Sequence, residues 1–330
     1  MRGAAEQADR FDRFQRGHAV VGLPLAVVYK FFDDQGNYLA AILTYYAFIA
    51  IFPLMLIASS VLGFLLQGNQ ELKQELLTSA LAQFPIVGTQ LGRPGGIQGS
   101  ASAVVVGSLT ALYGVLGLGQ AAQNSVNATW AIPRNSRLNP VVSRLRSLAL
   151  LVVAGVAVLA VAVLSSITSH VEVFGSDVDV GIRLLFSLVS VVLTGVVLTV
   201  MLVFATSRRH RFRTVLPGGL AIAVMWQLLQ TLGGVYVDRV ISRVSEMNGV
   251  FALVLGLVAL LYVAAVMGVL GLELNVVLAK RLWPRALLTP FTDDVELTDA
   301  DRRVYTEYAQ AQRHKGFEKV RVSFHPKQRD

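Results

Sequence analysis

Long uncharged runs alternate with short polar stretches along most of the chain, and the runs exceed what a soluble core uses. The clearest is 39–66, LAAILTYYAFIAIFPLMLIASSVLGFLL, without one charged side chain. As a helix it is about 42 Å long, whereas a bilayer's hydrocarbon core of about 30 Å is crossed by roughly 20 apolar residues. This predicts a membrane span with Thr44, Tyr45 and Tyr46 near its start. Pro53 lies near its middle, where a missing backbone donor favours a kink. Five more runs, at about 103–122, 148–168, 184–205, 215–237 and 250–279, predict five more spans.

The intervening stretches complete the layout. Within 1–38, an apolar run at 19–29 is too short to span and contains Pro24, which suits an interfacial helix. A signal peptide fits less well, because a mixed-charge region precedes the run and no small-residue cleavage site follows. Residues 67–102 form a polar connection with Leu72, Leu76, Leu77, Ala80 and Leu81 at helical spacing: an outer-surface helix or a lid over a cavity. In the second span Ala103, Gly107 and Ala111 repeat every four residues, with Gly114, Gly117 and Gly119 beyond, a pattern for close helix approach in lipid. The fifth span carries Pro217 in its expected first turn and Trp226, Gln227 and Gln230 further on.

Charge sets the topology. The N-terminal segment, the loops after spans two and four, and the tail from Lys280 hold 24 of the 29 Lys and Arg residues. By the positive-inside rule both ends face the cytoplasm, and the net charge of +8 reports membrane topology rather than nucleic acid. The expected fold class is therefore all-α: six transmembrane helices (39–279), an N-terminal interfacial helix (within 1–38) and a basic cytoplasmic tail (280–330). Lys280, Arg281, Trp283 and Arg285 are expected to stop the last span at the headgroups. In the tail, Thr298 and Asp301 form a capping-box pattern, FEKVRVSF alternates like a strand, and the whole reads as solvated.

Composition, 54% hydrophobic and 15% charged, excludes disorder, and the absence of cysteine removes disulfide, thiolate-metal and cysteine-nucleophile chemistry. No phosphate-binding glycine loop, HExxH or GxSxG motif is present, and the five histidines are scattered. The expectation is a protein that is not an enzyme and uses no cofactor or metal.

Glu273 is the one acid within a span, and no Lys, Arg or His lies in the span cores. An ionisable group at such depth is a functional-site candidate, while snorkelling or capping of a helix contact is the plainer reading. Tyr45, Gln120, Asn124, Glu273 and Asn275 fall at one cytoplasmic-leaflet depth; packed together, their three helices would form a polar pocket open to the inside. Tyr46, Pro53, Gln227 and Gln230 complete the substrate-pathway candidates. For each residue alone, interhelical hydrogen bonding or an aromatic belt explains it as well. Arg134, Arg137, Arg208, Arg209 and Arg211 are the expected contacts to anionic lipid.

The chain resembles the YihY/BrkB family of bacterial inner-membrane proteins. The resemblance rests on 36–63 (GNYLAAILTYYAFIAIFPLMLIASSVLG), the Trp130-Ala131-Ile132-Pro133-Arg134 link, 216–226 (LPGGLAIAVMW) and 268–279 (GVLGLELNVVLA), and covers about residues 20–285. It departs in a last span richer in Val and Ala, a less basic link after Trp130, and a long tail. The resemblance implies a multi-pass inner-membrane protein tied to envelope integrity, in a family suggested to move lipids or other amphiphiles. An old ribonuclease label finds no clustered acids or histidines here to hold a nuclease's metal ions. A transporter or flippase-like protein for an envelope lipid or amphiphile is the first expectation, and a non-transporting scaffold of an envelope complex the second. An integral-membrane enzyme comes third. Expected partners are membrane lipids and an envelope protein or second copy, with no nucleic acid.

Overall fold

The computed structural model describes residues 2–65, 101–173, 180–207, 210–240, 246–287 and 295–325. Among them are α1 (Arg2–Gly17), α2 (Ala19–Asp33), α3 (Gly36–Leu65), α4 (Ala101–Thr129), α5 (Pro140–Val173), α6 (Val180–Ala205), α7 (Phe212–Val240), α8 (Glu246–Lys280) and α9 (Asp299–Ala311). A single 3-10 turn, Arg134–Ser136, joins α4 to α5, and the described residues contain no strand. The strand-like FEKVRVSF is accordingly irregular chain. The proposed surface helix or lid within 67–102 lies outside the described residues, apart from the start of α4.

Helices α3 to α8 contact one another in a closed circuit, each touching the next and α8 returning to α3; α4 also touches α6 and α8, and α2 packs on α8. Their outward faces are apolar: Val152, Val156, Leu188, Leu228 and Leu255 are all exposed. Among the described residues Ser187–Ala205, Phe212–Gln230 and Val254–Lys280 are long and apolar enough to cross a membrane, and Gly36–Ile51 is a shorter apolar stretch. An apolar exterior on such helices is what lipid solvates.

Small residues let the helices meet. The ring of Tyr46 occupies the space a Cβ on Gly117 would fill, bringing α3 onto α4, and Gly119 sits against Ser147 of α5. The Ala103, Gly107 and Ala111 side chains lie outside the described residues. α3 is helical on both sides of Pro53. In α7 the helix starts at Phe212, so Pro217 falls inside it rather than in its first turn. The next N–H, that of Gly218, donates to Asn275 Oδ1 on α8 at 2.7 Å. A Cβ on Gly218 would collide with both Gly271 O and the Asn275 amide, so α7 and α8 cross backbone to backbone here.

α4 and α8 end in the same way. Ala131 (φ 51°) and Arg281 (φ 52°) turn left-handed, and the N–H of the following residue bonds five residues back, Ile132 to Asn127 O at 2.9 Å and Leu282 to Val277 O at 3.0 Å. These are Schellman stops, each with a buried apolar residue after the turn. They aim Ile132 and Leu282 into one core with Ala26, Val27, Val126, Val276 and Val304, at the end of the bundle where both termini arrive.

The tail departs from its expected solvated state. Leu282, Arg285, Ala286, Ala300, Asp301 and Val304 are buried, and Arg285 is therefore a core residue rather than a headgroup contact. The capping box does form: Asp301 N donates to Thr298 Oγ1 at 3.1 Å and Thr298 N to Asp301 Oδ2 at 2.9 Å.

The glycine contacts make a direct test. Gly218→Ala is expected to destabilise the protein by about 1–3 kcal/mol through overpacking. Gly155→Ala on α5, where a Cβ meets nothing within 4 Å, should be neutral or stabilising by up to about 1 kcal/mol. Thermal unfolding of the two variants in detergent, beside the parent protein, checks the pair.

Candidate functional site

Two polar features lie along the second half of α4, one beside α3 and α5 and the other where α2 and α8 pack at its end. The first is a cavity of about 360 Å³ built on α4. Gln120 and Asn124, like Gln123 and Asn127, are four residues apart, and the four amides form one stripe. Tyr46 and Ile42 of α3 stand on one side of the stripe, and Arg137, Ser143 and Ser207 on the other. Two of the amides hold walls in place. Gln123 Nε2 donates to Ser147 Oγ at 2.8 Å and Ser143 O at 3.0 Å, clamping α5, while Asn127 Oδ1 accepts from Ser207 N at 3.4 Å. Asn124 Oδ1 accepts from Arg137 Nη1 at 2.9 Å, and Arg137 Nε also donates to Ile132 O at 3.2 Å. Gln120 is exposed. Burial lowers the Arg137 pKa, with Arg134 nearby adding to the effect. The cavity thus offers a guanidinium and amide groups beside apolar and aromatic carbon, a combination that accepts a polar head and a hydrocarbon flank together.

The second feature is a chain of buried charge. Lys30 of α2 is 2% exposed and its ammonium meets Asp34, Glu273 of α8 at 3.5 Å, and the Thr129 carbonyl closing α4 at 3.2 Å. Neither Glu273 oxygen accepts a hydrogen bond among the described residues, so its link to Lys30 is one of charge. Burial works against the Lys30 ammonium, yet Glu273, Asp34 and Asp33 outweigh it and raise its pKa. Arg285 repeats the arrangement around Asp33, the neighbour of Asp34 in the chain. Its guanidinium pairs with Asp33 at 2.9 Å and with Asp301, and its carbonyl accepts from Gln15 Nε2 at 2.6 Å. Burial again opposes the charge, and the two aspartates again raise the pKa. Asp12 accepts from Leu287 N at 2.8 Å, adding α1 to the assembly.

The pocket expected from Tyr45, Gln120, Asn124, Glu273 and Asn275 is thus redistributed. Gln120 and Asn124 line the cavity. Tyr46 takes the place foreseen for Tyr45, which is 54% exposed on the outer face with its ring edge-on to that of Tyr46. Glu273 and Asn275 sit apart from the cavity, in the Lys30 cluster and the α7–α8 crossing. Successive side chains on a helix diverge by about 100°, so equal depth does not mean equal direction. Gln227 and Gln230 are half-buried on α7 and line neither cavity described here; Pro53 contributes a helical backbone position. Arg134 and Arg211 are exposed, Arg137 faces the cavity, and Arg208 and Arg209 lie outside the described residues.

Lys30 and Gln123 are the residues that sequence reasoning passed over. Lys30 is the only cation in the helix AVVGLPLAVVYKFFD and precedes Asp33 and Asp34, a signal that its face meets something charged. Gln123 stands three residues after Gln120, on the same helical face.

An all-helical bundle with an apolar exterior and its charges paired inside one end is a helical membrane protein. The virulence factor BrkB family profile matches residues 27–291, and the chain belongs to that family. No curated protein and no solved structure matches it.

Removing the Lys30 ammonium would leave buried carboxylates without their cation. Lys30→Met is expected to cost roughly 3–5 kcal/mol, and Lys30→Met combined with Glu273→Leu to recover part of that loss. Denaturation midpoints for the single and double variants measure the coupling; equal loss in both would assign the role to Asp34 alone.

Proposed function

We propose that this chain is a non-enzymatic transporter or flippase-like protein of the bacterial cytoplasmic membrane. It seats the headgroup of a lipid or other envelope amphiphile in the amide-lined cavity on α4. The observation that carries this reading is the composition of that cavity: Gln120, Asn124 and the Arg137 guanidinium beside Ile42 and Tyr46. Arg137 supplies charge complementarity to an anionic head, and the apolar wall offers a path for a chain. In this reading the Lys30–Glu273 cluster is the frame and the cavity is the working surface.

The same reading takes α3 to α8 as six spans with both termini in the cytoplasm. In its support, four basic segments meet at one end of the bundle. Asn135 N donates to Arg313 O at 3.3 Å, Lys280 Nζ donates to Trp130 O at 3.0 Å, and Trp130 stacks on His210. The link after α4, the link after α6 and the tail therefore share one side, and α2 reaches it through Lys30. Clustered Lys and Arg in short loops mark the cytoplasmic face.

A scaffold for an envelope complex is the second reading, favoured by one observation. Glu273 and Asn275 are engaged in packing, which leaves Arg137 as the one charged side chain on the cavity wall among the described residues.

Native mass spectrometry of nanodisc-embedded protein separates the two. A specific lipid is expected to accompany the parent protein and to be lost from Gln120→Ala/Asn124→Ala at equal abundance. In proteoliposomes Arg137→Ala should slow movement of that lipid about tenfold. Identical bulk lipid in both proteins, with one stoichiometric protein partner retained, would establish the scaffold instead.

A further inference from the structure

A second cavity, of about 550 Å³, lies on the other side of the α4 terminus and takes no part in the reading above. Its walls are the 130–133 link, His210, the end of α8, α9 and the tail beyond it. Among the described residues four cationic side chains, Lys280, Arg313, Lys319 and Arg321, line it against one carboxylate, Glu307. Lys280 Nζ donates to Glu307 Oε2 at 2.8 Å and to Trp130 O at 3.0 Å, so the carboxylate is already matched. Three further positive charges surround the opening, of which Arg313 also has the Glu318 carboxylate nearby.

The frame holding them is fixed at several points. Arg313 Nε donates to Asn135 Oδ1 at 3.3 Å while Arg313 O accepts from Asn135 N at 3.3 Å, tying the tail to the 3-10 turn. Arg303 Nη2 donates to Arg281 O at 2.7 Å, and α9 is anchored below through Asp301 on Arg285. One wall is the Trp130 ring stacked on His210, with centroids 3.7 Å apart. Like charges gathered by a rigid frame repel one another, and an anion bound among them relieves that repulsion. Guanidinium and ammonium groups together suit phosphate oxygens, the first by a planar fork and the second as a point charge.

We propose that this cavity binds a phosphate-bearing anion. Trp130 at the end of a spanning helix puts the opening near headgroup depth, where both an anionic lipid and a soluble phosphate compound carry the required group. The bound phosphate joins the tail to the α4 link through Arg313, Lys319 and Arg321.

The test uses the full chain in phosphatidylcholine nanodiscs, titrated calorimetrically with inorganic pyrophosphate at fixed ionic strength. A parallel arm uses nanodiscs mixing phosphatidylcholine and phosphatidylglycerol, with retained lipid read by native mass spectrometry. Lys319→Glu/Arg321→Glu alters two exposed side chains, so the fold persists, and Arg302→Glu/Lys315→Glu changes charge equally outside the cavity lining. Saturable pyrophosphate binding weakened roughly tenfold or more by the cavity variant alone supports the site and assigns it to soluble phosphate. Selective phosphatidylglycerol retention lost in the same variant supports it and assigns it to headgroups. No binding in either arm, or equal weakening by the control pair, overturns the proposal.

Discussion

The end of this bundle where the two terminal segments pack depends on one buried ammonium. Lys30 reaches from α2 to the last carbonyl of α4 and to a carboxylate on α8, so three elements distant in sequence share one charge. Taking that charge out of water costs several kcal/mol, and only good pairing offsets the cost. The pairing comes from two sides, Asp34 at the end of its own helix and Glu273 across the interface. Glu273 therefore has an assignment that does not involve substrate: it is the counter-charge that lets α2 dock against a helix deep enough to be surrounded by lipid.

Arg285 extends the same logic to the tail. Asp33 and Asp34, adjacent in sequence, point to different cations, Asp33 to Arg285 and Asp34 to Lys30. The turn after α2 thus couples the two clusters, and Asp301 at the first turn of α9 completes the second. Both cations sit between two carboxylates, which keeps each of them charged. The N-terminal segment and the C-terminal tail are consequently parts of the folded domain.

The long helices were legible because lipid imposes a simple rule, apolar helices with satisfied backbones, and three of them among the described residues are long and apolar enough to cross a membrane. Helix limits at 101–129 and 246–280 extend past the apolar runs because the terminal turns carry Asn127 and Lys280 into contacts with neighbouring segments. The capping box at Thr298 was legible too, since it is local. The partner of Glu273 was not, because Lys30 lies in a different helix more than two hundred residues away and its apolar surroundings resembled an interfacial anchor. The Schellman stops were hidden for another reason. Ala131 and Arg281 adopt the left-handed conformation without being glycine, held there by the burial of Ile132 and Leu282.

The end of α4 also links the two cavities. Ile132 lines the basic cavity, while its carbonyl holds the Arg137 guanidinium that lines the amide cavity, at 3.2 Å. Trp130 forms a wall of the first, and its carbonyl is held by Lys280 from α8. Residues 130–133 are held by a Schellman turn at one end and a 3-10 turn at the other, with the Thr129 carbonyl before them bonded to Lys30, so the two cavities share one fixed wall.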